Sequence, residues 1–168
     1  MTDIKSGVNP LFLREEDLRQ GIELLYFAYR DFTAEPDAIL AEYGFGRAHH
    51  RVIYFVGRNP RITVSDLLTI LRITKQSLSR VLGQLVREGF IVQHEGEKDR
   101  RQRLLELTQK GIDLERRLSE SQRKRIAGAY REAGAEAVQG YRDVLLGIIG
   151  EEDRSRVFGG PIDPDDAD

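Results

Sequence analysis

The sequence predicts a mainly α fold of the α+β kind, in which one short β-hairpin interrupts a succession of helices. Three observations predict it. Apolar residues recur at helical spacing through most of the chain. The period switches to that of a strand over only two short runs, Phe90–His94 and Arg103–Leu107, with the polar stretch Glu95–Gln102 between them. Immediately upstream, two helical segments meet at a two-residue joint, Arg72-Ile73. A tight helix pair followed by a hairpin is a winged helix-turn-helix. Here it is flanked by N- and C-terminal helices that the compact part cannot bury.

Composition bounds the rest. A chain of 168 residues fits one domain, or one domain with an extension that joins a partner. Its 40% hydrophobic content supplies a core, and 32% charged residues suit a helical protein in water. Cysteine is absent, which excludes disulfides, thiolate metal sites and cysteine redox sensing. No apolar run approaches membrane-spanning length and no signal-peptide core opens the chain, so a cytoplasmic location without a membrane partner is expected. The net charge is only −2, yet it is unevenly spread. Between Arg72 and Arg103 eight basic residues face four acidic ones, whereas from Glu151 onward seven acidic residues face two arginines. A local basic patch matters more to a nucleic-acid partner than the total.

Residues 1–10 read as a mobile N-terminus. Over 11–35, Leu18, Ile22, Leu25, Tyr29 and Phe32 mark an amphipathic helix ending near Thr33. Leu24, Phe27 and Ala28 make it apolar on more than one face, so it needs a deep core or a partner chain. Pro36 suits the first turn of the next helix, at the start of a DNA-binding domain spanning 36–110. Gly44 and Gly46 then bend the chain around Tyr43 and Phe45; with no strand before it, this Gly-x-Gly is a helix joint rather than a phosphate loop. Ala48–Gly57 resumes as a helix with Val52, Ile53, Phe55 and Val56 for the core. Its neighbours His49 and His50 point about 100° apart and cannot readily share an ion, so neither a metal site nor a cofactor is expected.

Thr63-Val-Ser-Asp66 has the form of a capping box with Asp in the place of Glu, opening a helix to about Arg72 through Leu67, Leu68 and Leu71. Thr74 is placed to cap the second helix and Gly89 to stop it. Leu78, Val81, Leu82, Leu85 and Val86 share one face of that helix; Gln76, Ser79, Arg80, Gly83 and Arg87 share the other. Long donors can reach base edges and phosphates, and a glycine lets a backbone approach closely.

In Ile73–Leu82, in the joint Arg87-Glu-Gly-Phe-Ile-Val92 and in Asp99–Gly111, the chain resembles the MarR-type winged-helix regulators, and within them the PetP-like ones. The likeness covers roughly Ala38–Leu118. It implies a homodimer on a pseudo-palindromic operator in double-stranded DNA. It also implies a wing-tip arginine, here Arg101, braced by Asp99. The expected DNA-binding residues are Ser65, Thr74, Lys75, Gln76, Ser77, Ser79, Arg80, Lys98, Asp99, Arg100 and Arg101. Gln76 and Arg80 are the choices for base contacts. A small aromatic or acidic effector could be held by Tyr26, Arg30, Tyr43, Phe45, His49, His50 and Tyr54.

After Gly111 the chain reads as C-terminal dimerisation helices over 111–150, with a break at Ala133-Gly-Ala135 and apolar positions Ala137, Tyr141, Val144, Leu145 and Ile148. Residues 151–168 read as a disordered acidic tail. No nucleophile–base set, phosphate loop or metal-ligand set supports an enzyme. The alternative in a different class is a winged-helix module that binds an acidic protein instead of an operator.

Overall fold

The computed structural model describes residues 10–163, which fall into two compact units dividing between Glu35 and Pro36. The first holds a 3-10 turn, Leu11–Leu13, and most of helix α1, Glu15–Ala41. Glu15, Glu16 and Asp17 fill the first turn of α1, where carboxylates favour the positive end of the helix dipole. Leu18, Ile22, Leu25 and Tyr29 are all exposed, as are Leu11, Phe12 and Leu13.

α1 corrects the expected boundary. It does not stop near Thr33 but runs through Pro36. A proline inside a helix forfeits one backbone hydrogen bond. Here its ring is fully buried, and the Thr33 hydroxyl, one turn upstream, donates to the Tyr29 carbonyl at 2.8 Å. Burial of the ring offsets that loss and carries the helix across a residue that normally begins one.

In the second unit, α2 spans Arg47–Arg58 and buries Val52, Ile53 and Val56. A short strand β1, Ile62–Thr63, leads into α3, Val64–Leu71. Thr63 caps α3, its hydroxyl accepting from the Asp66 N–H at 3.0 Å. Arg72 follows in the left-handed conformation, φ 51° and ψ 42°, and supplies the turn that glycine usually makes. Thr74 then caps α4, Lys75–Arg87, accepting from the Ser77 N–H at 3.1 Å. Leu78, Val81, Leu82 and Leu85 of α4 are buried, which is four of the five apolar positions expected; Val86 is half-buried.

β2, Ile91–Glu95, and β3, Arg103–Leu107, form the hairpin, with β1 on the other side of β3 and every pairing antiparallel. α5, Gln109–Ala133, buries Leu114 and Leu118 near its start, and no residue of it beyond Ser119 is buried. After Gly134 comes α6, Ala135–Ile148, with no buried residue; Tyr141, Val144 and Ile148 are exposed. The core joins Leu40, Val52, Leu67, Leu85, Leu105 and Leu118, so every element around the helix-turn-helix feeds it.

The C-terminus differs from the expected disordered tail. Residues Glu151–Phe158 form a further helix, α7. Its first turn holds Glu151, Glu152 and Asp153, the arrangement that the helix dipole favours. Beyond it, the Ile162 N–H donates to Asn59 Oδ1 at 2.8 Å and the Ile162 side chain packs on the core. Local charge and one distant apolar anchor therefore order a stretch whose composition alone suggests none. The expected mobile N-terminus lies, apart from Pro10, outside the described residues, as do residues 164–168 of the acidic tail.

Candidate nucleic-acid interface

The interface candidates begin with the exposed face of α4. Lys75, Gln76, Ser79 and Arg80 are all exposed. Among the described residues, no ion pair engages Lys75 or Arg80. Thr74 and Ser77 are less available. The Thr74 hydroxyl accepts from the Ser77 backbone and donates to Ser77 Oγ at 2.9 Å, so their first task is to cap the helix. Ser65 is exposed in the first turn of α3, where its carbonyl accepts from Thr69 Oγ1. A side chain added at Gly83 would meet only the flexible Arg87 guanidinium, so the chain itself leaves the middle of the α4 face open.

The hairpin tip is shaped by Gly96 and Asp99. The Gly96 N–H donates to the Gln102 carbonyl, and the Gln102 N–H donates to the Asp99 carbonyl, each at 3.0 Å. A Cβ at Gly96 would stand 2.5 Å from the Asp99 carbonyl oxygen, so this turn closes only with glycine. Asp99 Oδ1 accepts from the Arg101 backbone N–H at 3.0 Å and lies 3.4 Å from Arg101 Nε. The backbone bond first, and the guanidinium after it, hold the Asp99 carboxyl below its ordinary pKa. Arg101 is thus tethered at its root while its side chain remains 94% exposed. Arg100 and Lys98 share the exposed tip. Arg103, on β3, lies 3.8 Å from its cross-strand neighbour Glu95.

The joint behind the hairpin is closed by side-chain to backbone hydrogen bonds. Thr108 Oγ1 donates to the Gly89 carbonyl at 2.6 Å and accepts from the Gly111 N–H at 3.2 Å. The Thr108 N–H donates to the Phe90 carbonyl, while Lys110 Nζ donates to the Glu88 carbonyl and lies 4.3 Å from the centre of the Phe90 ring. At Gly111 the Phe90 carbonyl leaves no room for a Cβ. Thr108, Lys110 and Gly111 thus fasten the end of α4, both roots of the hairpin and the start of α5. Sequence reasoning placed these residues in a motif without assigning them this work.

The effector candidates divide. Tyr26 and Arg30 lie in the first unit, where Tyr26 packs edge-on to Phe27 and the Arg30 guanidinium lies 4.7 Å over the same ring. Tyr43, Phe45 and His49 come together in the second. Phe45 stacks on Tyr43 and on His49, and Phe90 meets Phe45 and Tyr43 edge-on. His49 Nδ1 accepts from the Gly46 N–H at 3.1 Å, so in the neutral ring Nε2 carries the proton and donates to Gln84 Oε1 at 2.9 Å. His49 therefore caps α2 and ties it to α4. His50 is half-buried; burial, opposed by the charges of Glu115 and Asp37, lowers its pKa. Tyr54 is exposed and packs edge-on to Phe55. A cleft of about 420 Å³ lies elsewhere, lined by Asp66, Glu152, Arg156 and Ile162 among others. Among the described residues no group of three or more His, Asp or Glu could hold a metal ion, and no helix is long and apolar enough to cross a membrane.

The sequence pattern of the MarR family matches residues 43–102. The HTH-type transcriptional regulator PetP of Rhodobacter capsulatus is 52% identical over 148 residues, covering 88% of this chain and 89% of that protein. Among solved structures, Streptococcus pneumoniae FabT in complex with DNA superposes with a TM-score of 0.65 at 24% identity, covering 77% of this chain and 94% of that one. Staphylococcus aureus MarR in complex with salicylate and kanamycin also gives 0.65, at 18% identity, covering 80% of this chain and 91% of that one. The last two show likeness of fold.

Proposed function

Because the chain belongs to the MarR family, a family of transcriptional regulators and not of enzymes, we propose that it reads an operator in double-stranded DNA as a homodimer in the cytoplasm. In this reading each α4 enters a major groove, with Gln76 and Arg80 on base edges and Lys75, Ser77 and Ser79 on bases or phosphates. The wing, led by Arg101, lies along the neighbouring minor groove or its phosphates, and the exposed apolar positions of α1 and α6 pair with those of a second copy. The observation that carries the proposal is the open donor face of α4 beside a wing-tip arginine braced from below. FabT supports it as a fold relative seen with DNA, and PetP as a transcriptional regulator of half identical sequence. A small aromatic or acidic effector belongs to the proposal too; the support is the salicylate bound by the staphylococcal relative.

The test begins with DNA fragments selected by the protein from genomic DNA. Protected half-sites should repeat with centres about 10 base pairs apart or a multiple of that. On the selected duplex Arg80→Ala should cost about 1–3 kcal/mol and relax preference at one base position per half-site. No protection of any duplex at low salt would overturn the reading in favour of a protein-binding module. Full affinity in Arg80→Ala would move base reading off this arginine.

A further inference from the structure

The region just before α4 holds a cation that the operator reading leaves unused. Arg72 makes the left-handed turn between α3 and α4, three residues ahead of Lys75, and its side chain is 60% exposed. Its guanidinium lies 3.4 Å from Glu152 and 3.3 Å from Asp153, both in the first turn of α7. These partners are some 80 residues away in sequence, so the pairing belongs to the tertiary fold.

α7 is fixed unequally. Beyond its C-terminal end, Ile162 packs on the core, and its N–H donates to Asn59 Oδ1. Asn59 is itself buried, and its Nδ2 donates to the Phe55 carbonyl at 2.9 Å, which leaves Oδ1 directed to Ile162. That end is a packed anchor. The other end is held to the helix-turn-helix by ion pairs in which Arg72 is 60%, Glu152 80% and Asp153 35% exposed, and Asp153 is shared with Arg156 at 3.5 Å. Exposed pairs of this kind are weak and screened by salt. A DNA phosphate, which releases condensed counterions when it meets a cation, is a strong competitor for the same guanidinium.

We propose that Arg72 is a further DNA-backbone contact and that the acidic first turn of α7 occupies it in the free protein, so that the C-terminal segment restrains DNA binding from within the chain. The inference rests on the operator reading. Binding then exchanges Glu152 and Asp153 for a phosphate at Arg72, while Ile162 stays on the core and keeps the displaced acidic turn nearby. The restraint therefore lowers affinity for every duplex and is reversible.

The experiment uses the full chain in four forms: parent, Glu152→Gln with Asp153→Asn, Arg72→Gln, and all three changes together. Affinity for a selected duplex and for an unrelated one is measured across a salt series, alongside thermal unfolding. Freeing Arg72 should tighten both complexes roughly two- to fivefold at low salt, the worth of an exposed pair, and the gain should shrink as salt rises. In the Arg72→Gln background the same two changes should give no gain. The triple variant should show a salt slope about one unit shallower than the Glu152→Gln, Asp153→Asn protein. A gain that persists without Arg72 would show general charge relief and overturn the proposal, as would no gain at all in a folded variant. Those outcomes leave the operator reading intact, whereas failure of all four forms to bind any duplex would overturn the operator reading first.

Discussion

Thr108→Val isolates the joint that carries the hairpin. Valine keeps the branched shape and removes only the hydroxyl, which here has two tasks. It caps α5 by accepting from the Gly111 N–H, and loss of such a cap costs about 1 kcal/mol. It also donates to the Gly89 carbonyl, a bond worth roughly 0.5–1.5 kcal/mol. Because Gly89 is exposed, water partly replaces that donor, which favours the lower end. The sum is about 1.5–2.5 kcal/mol, and at 2–4 °C per kcal/mol the melting temperature should fall by about 3–10 °C. Thermal unfolding followed by circular dichroism reads it directly. Protein concentration must be matched, because association would itself shift the midpoint. Thr108→Ser, which retains both bonds, should melt close to the parent. If Thr108→Val melts within about 1 °C of the parent, the hydroxyl does not fasten the joint and the argument for a bonded hairpin root is wrong.

Arg101→Ala should remove about one unit of the salt slope of DNA binding if the residue meets phosphate. It should weaken chiefly A·T-rich sites if it enters a narrow minor groove, and in either case leave the melting temperature nearly unchanged. Asp99→Ala should act in the same direction but less. Since its carboxyl pKa is lowered, the brace holds at neutral pH and is lost only on acidification through that depressed value; a carboxyl NMR titration that found it raised would refute this. His50 acts in the same direction at higher pH. Its folded pKa lies below 6.5, so the unfolded chain binds more protons there, and stability should decline as pH falls below 6.5. Denaturant unfolding across that range checks this, and His50→Gln should flatten the decline. Replacing Leu145 and Ile148 with glutamate should give monomeric or insoluble protein; sedimentation of the parent as a folded monomer at micromolar concentration would remove the dimer proposal.

The parts of this fold legible in the sequence are those decided within a few residues. The caps at Thr63 and Thr74 lie three residues from the amides they accept, and the apolar period of α4 is local, so these elements could be read directly. α1 and α7 could not be. Continuation through Pro36 depends on the burial of its ring, and order after Glu151 depends on Asn59 and Arg72, each distant in sequence. The candidate interface shows the same division. The exposure of Lys75, Gln76 and Arg80 follows from the helical period. The engagement of the Thr74 and Ser77 hydroxyls with each other follows from rotamers that no period specifies. His49 was legible as an imidazole near aromatic rings, but its bonds to Gly46 and Gln84 require knowing which elements meet.

The joint at Phe90, Thr108 and Gly111 also has a mechanical consequence. With 25 residues, α5 is an arm about 37 Å long, and its short end is clamped to both roots of the hairpin. The five-residue strands project about 17 Å from that clamp. If clamp and strands turn as one body, a tilt of about 5° moves the far end of α5 by about 3 Å and the hairpin tip by about 1.5 Å. That smaller travel is already enough to break a hydrogen bond to a phosphate. A push at the remote end of the arm, delivered by whatever packs there, is thus geared down into a fine adjustment of where Arg101 rests.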